Sequence, residues 1–463
     1  MKKIEIGDKL DQFKIISKLH AGAMASIFKV ELIDGNTPFP LVMKVPKTSL
    51  SDGGENIISF EVEQMIMPNL TGGHVPKFFS ASGLGQTPYI VMEHILGQSL
   101  EDIIQSKKLN EKEIFDYAAL IATAIHSLHL QNVCHLDLKP ANIIFTGEKV
   151  VLIDFGLSFH AHYPDLLAEE MRKAVGSFAY MAPEQVVGVR GDPRSDIFSL
   201  GVILYELATG ILPFGNPSTV DGLRKRLWVD PTPPRKLNSL ISENLQEVIL
   251  KCLQVEAEDR YPSMAHLILD LKNFDQIKIT DLGKKIKGTN WKTHFWRFLK
   301  SAGKEYKPSP LPLKTIQEVP IILVAVPFQD VKEHTLISLR DAVKRSLGIR
   351  PGARLTCLRI IPPIDHLKGQ NESEIFQNHL LQLQKWSKPI ESNLHQISHH
   401  VLESTDVAEA ILTYAKSNHV SMIILGAATH GLKLQKIIAT VPIKVAMEAP
   451  CTTILVKEHQ AFE

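Results

Sequence analysis

The run His135-Leu136-Asp137-Leu138-Lys139-Pro140-Ala141-Asn142, followed by Asp154-Phe155-Gly156, gathers two acids, a lysine and an asparagine in a short span of a 463-residue chain. One acid so placed can orient a hydroxyl and accept its proton. A second acid, with the asparagine oxygen, can hold a hard divalent cation. That set suits phosphoryl transfer, in which a protein mostly positions groups and neutralises charge. The apolar run Val150-Val151-Leu152-Ile153 reads as a short buried strand that delivers Asp154.

The elements that must position these groups lie on both sides. Phe13 to Glu31 reads as two strands around a turn, the turn being His20-Ala21-Gly22-Ala23-Met24-Ala25. Leu41-Val42-Met43-Lys44-Val45 is a strand with one lysine in it, and a lysine among apolar neighbours is costly unless paired. Glu61 and Glu63 are the available acids in the helical stretch Ile57 to Leu70. Tyr89 to Ile95 reads as a strand running into a hinge. Lys112 to Leu130 has apolar residues at helical spacing (Ile114, Phe115, Ala118, Ile121, Ile125, Leu128), so it is a core helix whose His126 and His129 are packing or surface residues.

These motifs, in this order, resemble the eukaryotic-like, bacterial-type serine/threonine protein kinases from about Phe13 to Phe274. The resemblance implies a bilobal α+β kinase fold and the use of ATP and Mg²⁺. Gly22 is then the middle glycine of the loop over the nucleotide, with His20 and Ala25 replacing the outer glycines. Ile27 and Met92 line the nucleotide pocket, and the backbone at Glu93 and Ile95 holds adenine. Lys44 grips the α- and β-phosphates and pairs with Glu63, preferred over Glu61 because Glu63 lies three residues after the apolar anchor Phe60. Asp137 is the acceptor-side base, Lys139 steadies the γ-phosphate, and Asn142 and Asp154 hold the metal.

The resemblance assigns further roles in the larger lobe. Ser177, after Gly176, bonds near the catalytic acid. Glu184 pairs with Arg260, and Asp196 anchors the catalytic-loop backbone. One departure is informative: the arginine that usually precedes the catalytic acid, and that pairs with a phosphorylated residue, is Leu136 here. Between Asp154 and Glu184 there is no threonine, and the serines are Ser158 and Ser177. Activity is therefore expected not to depend on phosphorylation of that loop. The altered glycine-rich loop and Leu136 also permit a different reading, a nucleotide-binding scaffold without catalysis.

Bulk properties set the frame. The length implies two or three domains. A net charge of +1 gives no general attraction to nucleic acid. Four scattered cysteines, Cys134, Cys252, Cys357 and Cys451, show no CxxC pairing, which points to a reducing cytoplasm. The start turns acidic before any apolar run, unlike a signal peptide, and no stretch approaches membrane-span length.

We divide the chain into 13–274, 275–318 and 319–457. The middle segment carries ten Lys/Arg against two acids between Gln276 and Lys314, then Pro308, Pro310 and Pro312. Within it Trp291, Phe295, Phe298 and Ala302 share a helical face, interleaved with Lys292, Arg297 and Lys300. Such a helix either docks on a neighbouring domain with its basic residues in water, the favoured reading, or lets 284–304 lie on an anionic membrane surface.

The last segment begins with a continuous apolar run, Ile321 to Val326, as in a parallel strand buried on both faces. Further strands (Arg354 to Ile361, Met422 to Gly426, Thr453 to Val456) alternate with helices (Leu336 to Leu347, Asp406 to Ser417), implying a doubly wound, Rossmann-like α/β sheet. With its closing Val445-Ala446-Met447-Glu448-Ala449-Pro450-Cys451, this segment resembles the universal stress protein family. The resemblance implies a sensing or dimerising module. Pro327 replaces that family's aspartate, and Thr429 and Ala439 stand where glycines belong, although Gly426, Gly431 and Thr440 are present, so nucleotide binding is not expected there. His399-His400 reads as surface.

Overall fold

The computed structural model describes residues 4–22, 24–47, 55–82, 87–147, 149–163, 165–167, 177–217, 220–288, 291–301, 320–327, 333–348, 353–363, 372–390, 395, 397–418, 420–426 and 441–457. The chain forms two compact units, Met1–Ile316 and Gln317–Glu463.

In the first unit, alternating apolar residues build an antiparallel sheet. Its strands are β1 (Lys9–Leu10), β2 (Phe13–Ala21), β3 (Ala25–Leu32), β4 (Leu41–Pro46), β5 (Phe78–Ala81) and β6 (Ile90–Glu93), in the order β1-β2-β3-β4-β6-β5. Phe13, Ile15, Phe28, Val30, Met43 and Val91 fill one of its faces. Helix α1 (Glu55–Ile66) crosses the other, with Phe60, Val62 and Ile66 buried.

The hinge leads through β7 (Gln98–Ser99) into α2 (Leu100–Ser106), capped by Ser99 and Asp102, each bonding the other's backbone amide. Gly97 is required at this crossing, because a Cβ there would overlap the Phe145 carbonyl. Helix α3 (Glu111–His129) starts at an Asn110–Glu113 capping box and buries an apolar face. The stretch that carries Asp137 and Asp154 follows as β8 (Val133–Cys134), β9 (Ile143–Phe145), β10 (Val150–Leu152) and β11 (Phe159–His160). Strand β9 pairs with β10, and β8 with β11, both antiparallel.

Helices α4 (Arg194–Thr209), α5 (Glu243–Cys252) and α6 (Met264–Lys272) complete the core around α3. Helix α7 (Trp291–Ser301) packs Phe298 edge-on against Trp228 and pairs Arg297 with Asp230 at 2.6 Å. The favoured docking is present, with a change of face. Phe298 of the expected face makes contact together with His294 and Arg297, whereas Phe295 is exposed, and Arg297 is ion-paired while still partly in water. Asp230, distant in sequence, selects the face by charge.

The second unit is a parallel sheet in the order β14-β13-β12-β15-β16. Its strands are β12 (Ile321–Ala325), β13 (Arg354–Ile361), β14 (Ile397–Glu403), β15 (Met422–Gly426) and β16 (Thr452–Val456). Helices α8 (Glu333–Gly348), α9 (Glu372–Ser387), α10 (Val407–Ser417) and α11 (Val441–Glu448) alternate with them. Leu339, Val343, Leu355, Cys357, Leu383 and Ile424 make its core. The strand order reverses around β12, as in doubly wound sheets.

The surface reading of His399-His400 is corrected. Both lie on β14; His400 is buried beside the Tyr414 ring of α10, and His399 meets Ser387 Oγ at 2.7 Å. Burial, then Arg354, pushes the His400 pKa down to about 4. Thr429, Gly431, Ala439 and Thr440 lie outside the described residues, as do 302–319 and Gly176. Cys134, Cys252 and Cys357 are buried and Cys451 is partly covered. Burial raises all four thiol pKa values.

Candidate active site

Strand β4 presents Lys44 from the sheet, and α1 brings Glu63 to it. Their charged atoms are 2.5 Å apart, and Lys44 also meets Asp154 at 2.8 Å. Glu63 is 1% exposed at its side chain, while Glu61 is only partly buried. Glu63 also accepts from the Phe155 amide at 3.4 Å, and Ser59 of α1 donates to the Gly156 carbonyl at 3.0 Å. Helix α1 is therefore stitched to the segment that follows β10. Burial opposes the charge on Lys44, yet Asp154 and Glu63 together hold its pKa above the ordinary lysine value. Burial also opposes ionisation of Asp154, but Lys44 outweighs it and draws the carboxyl down to about 2. The Asp154 side chain is 39% exposed, so this carboxylate is charged and accessible.

Asp137 lies in a second cluster on the same loop frame. Lys139 Nζ donates to it at 2.9 Å and the Ser177 amide at 3.0 Å. Asn142 Nδ2 donates to the Asp137 carbonyl at 2.9 Å and to its carboxylate at 3.3 Å. With its nitrogen so engaged, Asn142 offers an oxygen elsewhere. The Ile153 amide returns to the Asn142 carbonyl at 3.0 Å and so fixes Asp154 relative to the loop. A charged, open carboxylate and an amide oxygen are hard-oxygen donors of the kind that suits a divalent cation.

The loop holds its shape by long-range bonds. Asp196, fully buried on α4, accepts the His135 and Leu136 amides, both at 2.9 Å, and His129 Nε2 at 2.8 Å. His129 is thus a packed, buried residue, one of the two expected readings, and in addition the partner of Asp196, which the sequence did not reveal. Cys134 brings a third ligand-type atom within 4.8 Å, but both Asp196 oxygens already accept N–H bonds. Leu136 and Asp154 adopt left-handed backbone, φ 62° and 68°. That conformation costs a non-glycine residue about 1–3 kcal/mol and persists only where surroundings impose it. The Leu136 amide is held by Asp196, and its carbonyl accepts from Gln185 at 3.0 Å.

Glu184 and Arg260 form two parallel bonds of 2.7 Å, and Ser195 adds a third to Glu184. At the hinge, Met92 is buried and the Glu93 amide already donates to the Lys77 carbonyl, so that amide is not free to meet a base edge. Ile27 packs against the larger core. A Cβ on Gly22 would come 3.2 Å from the His20 ring.

A protein kinase domain model matches residues 13–271. The chain belongs to the protein kinase family. A universal stress protein family model matches residues 320–457, so the kinase domain is followed by a stress-protein domain. A probable serine/threonine-protein kinase of Clostridium acetobutylicum is 29% identical over 273 residues, 58% of this chain and 41% of the relative. The serine/threonine-protein kinase PknB of Mycobacterium tuberculosis is 34% identical over 189 residues, 40% of this chain and 30% of that relative. The chain therefore spans less than half the length of these curated relatives. Among the described residues of this kinase-family chain, no helix is long and apolar enough to cross a membrane.

Proposed function

We propose that this chain is a protein serine/threonine kinase that transfers the γ-phosphoryl group of Mg-ATP to a hydroxyl of a protein acceptor. The observation that carries this reading is the junction of Lys44, Glu63 and Asp154 beside a loop in which Asp137, Lys139 and Asn142 touch one another. Mg-ATP supplies the phosphoryl group, and its cation neutralises charge on the phosphate oxygens. Asn142 and Asp154 would hold that cation. Lys44 holds the α- and β-phosphates, with Glu63 fixing its ammonium. Gly22 lets backbone approach the phosphates, while Ile27, Met92 and the Glu93 and Ile95 backbone receive the base. Asp137 orients the acceptor hydroxyl and takes its proton, and Lys139 steadies the γ-phosphate. Ser177 ties the acceptor-side segment to Asp137, and Glu184, Arg260 and Asp196 keep the lobe in register.

The test is incorporation of labelled phosphate from Mg-ATP into casein by the full chain. Phosphoserine or phosphothreonine that disappears in Asp154→Ala supports the enzyme. ATP binding without turnover supports the rival, a non-catalytic scaffold.

The cytoplasm is the proposed setting, and the stress-protein domain is proposed to sense or to dimerise. Sedimentation of the full chain over a hundredfold concentration range tests dimerisation, which a constant monomer mass refutes. A second reading of 284–304 rests on the exposed side chains of Phe295, Trp296 and Leu299 near exposed Lys284 and Lys287, a pattern that fits an anionic membrane surface. Co-sedimentation with phosphatidylserine vesicles, lost in Trp296→Ser, tests it.

A further inference from the structure

Arg226 is a buried arginine, 1% exposed, in the 3₁₀ turn Lys225–Leu227. Its Nη1 donates to the Met181 carbonyl, and its Nη2 to the Phe178 carbonyl at 2.6 Å. Its Nε donates to the Leu223 carbonyl at 3.2 Å, and the guanidinium lies 5.4 Å from the centre of the Phe214 ring. The two terminal nitrogens of the cation are thus spent on backbone carbonyls of one segment, Phe178 to Met181, while Nε ties it to its own turn. That segment directly follows Ser177, whose amide bonds Asp137.

The same turn is gripped from outside. Met181, Leu223 and Leu227 share a small apolar cluster with Phe178 and Trp228 against it. Trp228 then meets α7: its ring lies edge-on to Phe298 at 5.1 Å, and its carbonyl bonds His294 Nδ1 at 2.7 Å. Two residues on, Asp230 pairs with Arg297 at 2.6 Å and with Lys285 at 3.6 Å. A continuous set of packed contacts therefore runs from the basic helix after the kinase domain to the backbone beside the catalytic acid.

We infer that Arg226 is a positioning residue for the acceptor-binding segment and that α7 braces it, so that undocking α7 weakens acceptor binding while leaving nucleotide binding intact. The inference rests on the kinase reading. It assigns Lys285 and α7 a part in acceptor use and separates them from the nucleotide side, which involves Lys44 and α1 and not this turn. Loss of contact at Asp230 loosens the turn, frees Arg226 to swing, and lets Phe178 to Met181 drift from Asp137.

The test uses the full chain with Arg297→Ala and Phe298→Ala, with Arg226→Lys as a third variant that keeps the charge. Acceptor KM for casein should rise about three- to tenfold, with ATP KM within twofold of the parent. Amide exchange of residues 178–182 should quicken in Arg297→Ala, and Arg297→Lys should restore both readouts. Unchanged acceptor KM and exchange, or equal rises in both KM values, overturn the inference. A parent that incorporates no phosphate would instead defeat the kinase reading, and the exchange measurement would still decide whether α7 braces the segment.

Discussion

Leu136 buries its side chain in one apolar cluster with Phe159, joining the residue before Asp137 to the strand that follows Asp154-Phe155-Gly156. Cys134 and Ala161 complete the cluster. Arg190 secures the same stretch, bonding Asp165 through Nε at 3.0 Å and the Leu157 carbonyl at 2.8 Å. Packing and a resident ion pair thus connect segments that a phosphate-bound arginine would otherwise join. Ser158 is 2% exposed and donates to the His135 carbonyl, which leaves it a poor phosphorylation target. Phosphatase-treated protein should keep its rate within about twofold, because no charge-assisted contact is lost. A collapse of incorporation after treatment, reversed by re-phosphorylation, would contradict this.

Lys44→Met should remove the ammonium that faces both Glu63 and Asp154. Loss of one preorganised charged donor typically lowers turnover by about 10²–10³. The fold should survive, though less stable, because buried Glu63, whose pKa burial already raises, can take up a proton once its cation is gone. Isothermal titration with ATP and incorporation assays check both sides, and EDTA should stop incorporation by the parent. Full activity in Lys44→Met would remove Lys44 from the mechanism.

Glu184→Ala would leave the Arg260 guanidinium, fully buried at its side chain, without its carboxylate. Breaking one side of a buried pair costs about 3–5 kcal/mol. Urea denaturation of the full chain should show the transition of the kinase domain at lower midpoint with an unchanged slope. An unshifted midpoint would mean that Ser195 and the backbone carbonyls around Arg260 suffice.

Asp196 sets an acid limit. Burial raises the cost of its charge, but His129 and the Leu136 amide outweigh that and hold its carboxyl below the usual value. An aspartate with a depressed folded pKa adds stability that is complete above its unfolded pKa of about 3.9 and fades as pH falls through the folded value. The kinase domain should therefore lose stability below about pH 4. Asp196→Asn should be less stable at pH 7 and show a shallower acid limb in thermal scans. An identical limb in the variant would place the acid sensitivity elsewhere.

Much of this was legible in the sequence because it is written in local pattern. The turn between Phe13 and Glu31 gave β2 and β3, the strand-like run around Lys44 gave β4, helical spacing gave α3, and the apolar run Ile321 to Val326 gave the central strand of the parallel sheet. Lys44 announced its need for a partner by being charged inside a strand, and the position of Glu63 after Phe60 suggested which. What stayed hidden depends on residues far apart in the chain. His129 and Asp196 are 67 positions apart, and nothing near either reveals that they meet. Arg226 sits in a basic run that looks solvated, yet the carbonyls of Phe178 and Met181 draw it inside. Helix α9 carries no motif, and β14 is masked by its polar His399-His400. The left-handed turn at Leu136 has no local signature, since a leucine gives no hint of positive φ.

The placement of the cysteines has a practical consequence. Reaction with a maleimide needs an accessible thiolate. Cys134, Cys252 and Cys357 are shielded within their cores, whereas Cys451, just before β16, is partly open. A dye added to native protein should therefore attach once, on the stress-protein domain, and report changes there without any prior removal of other thiols.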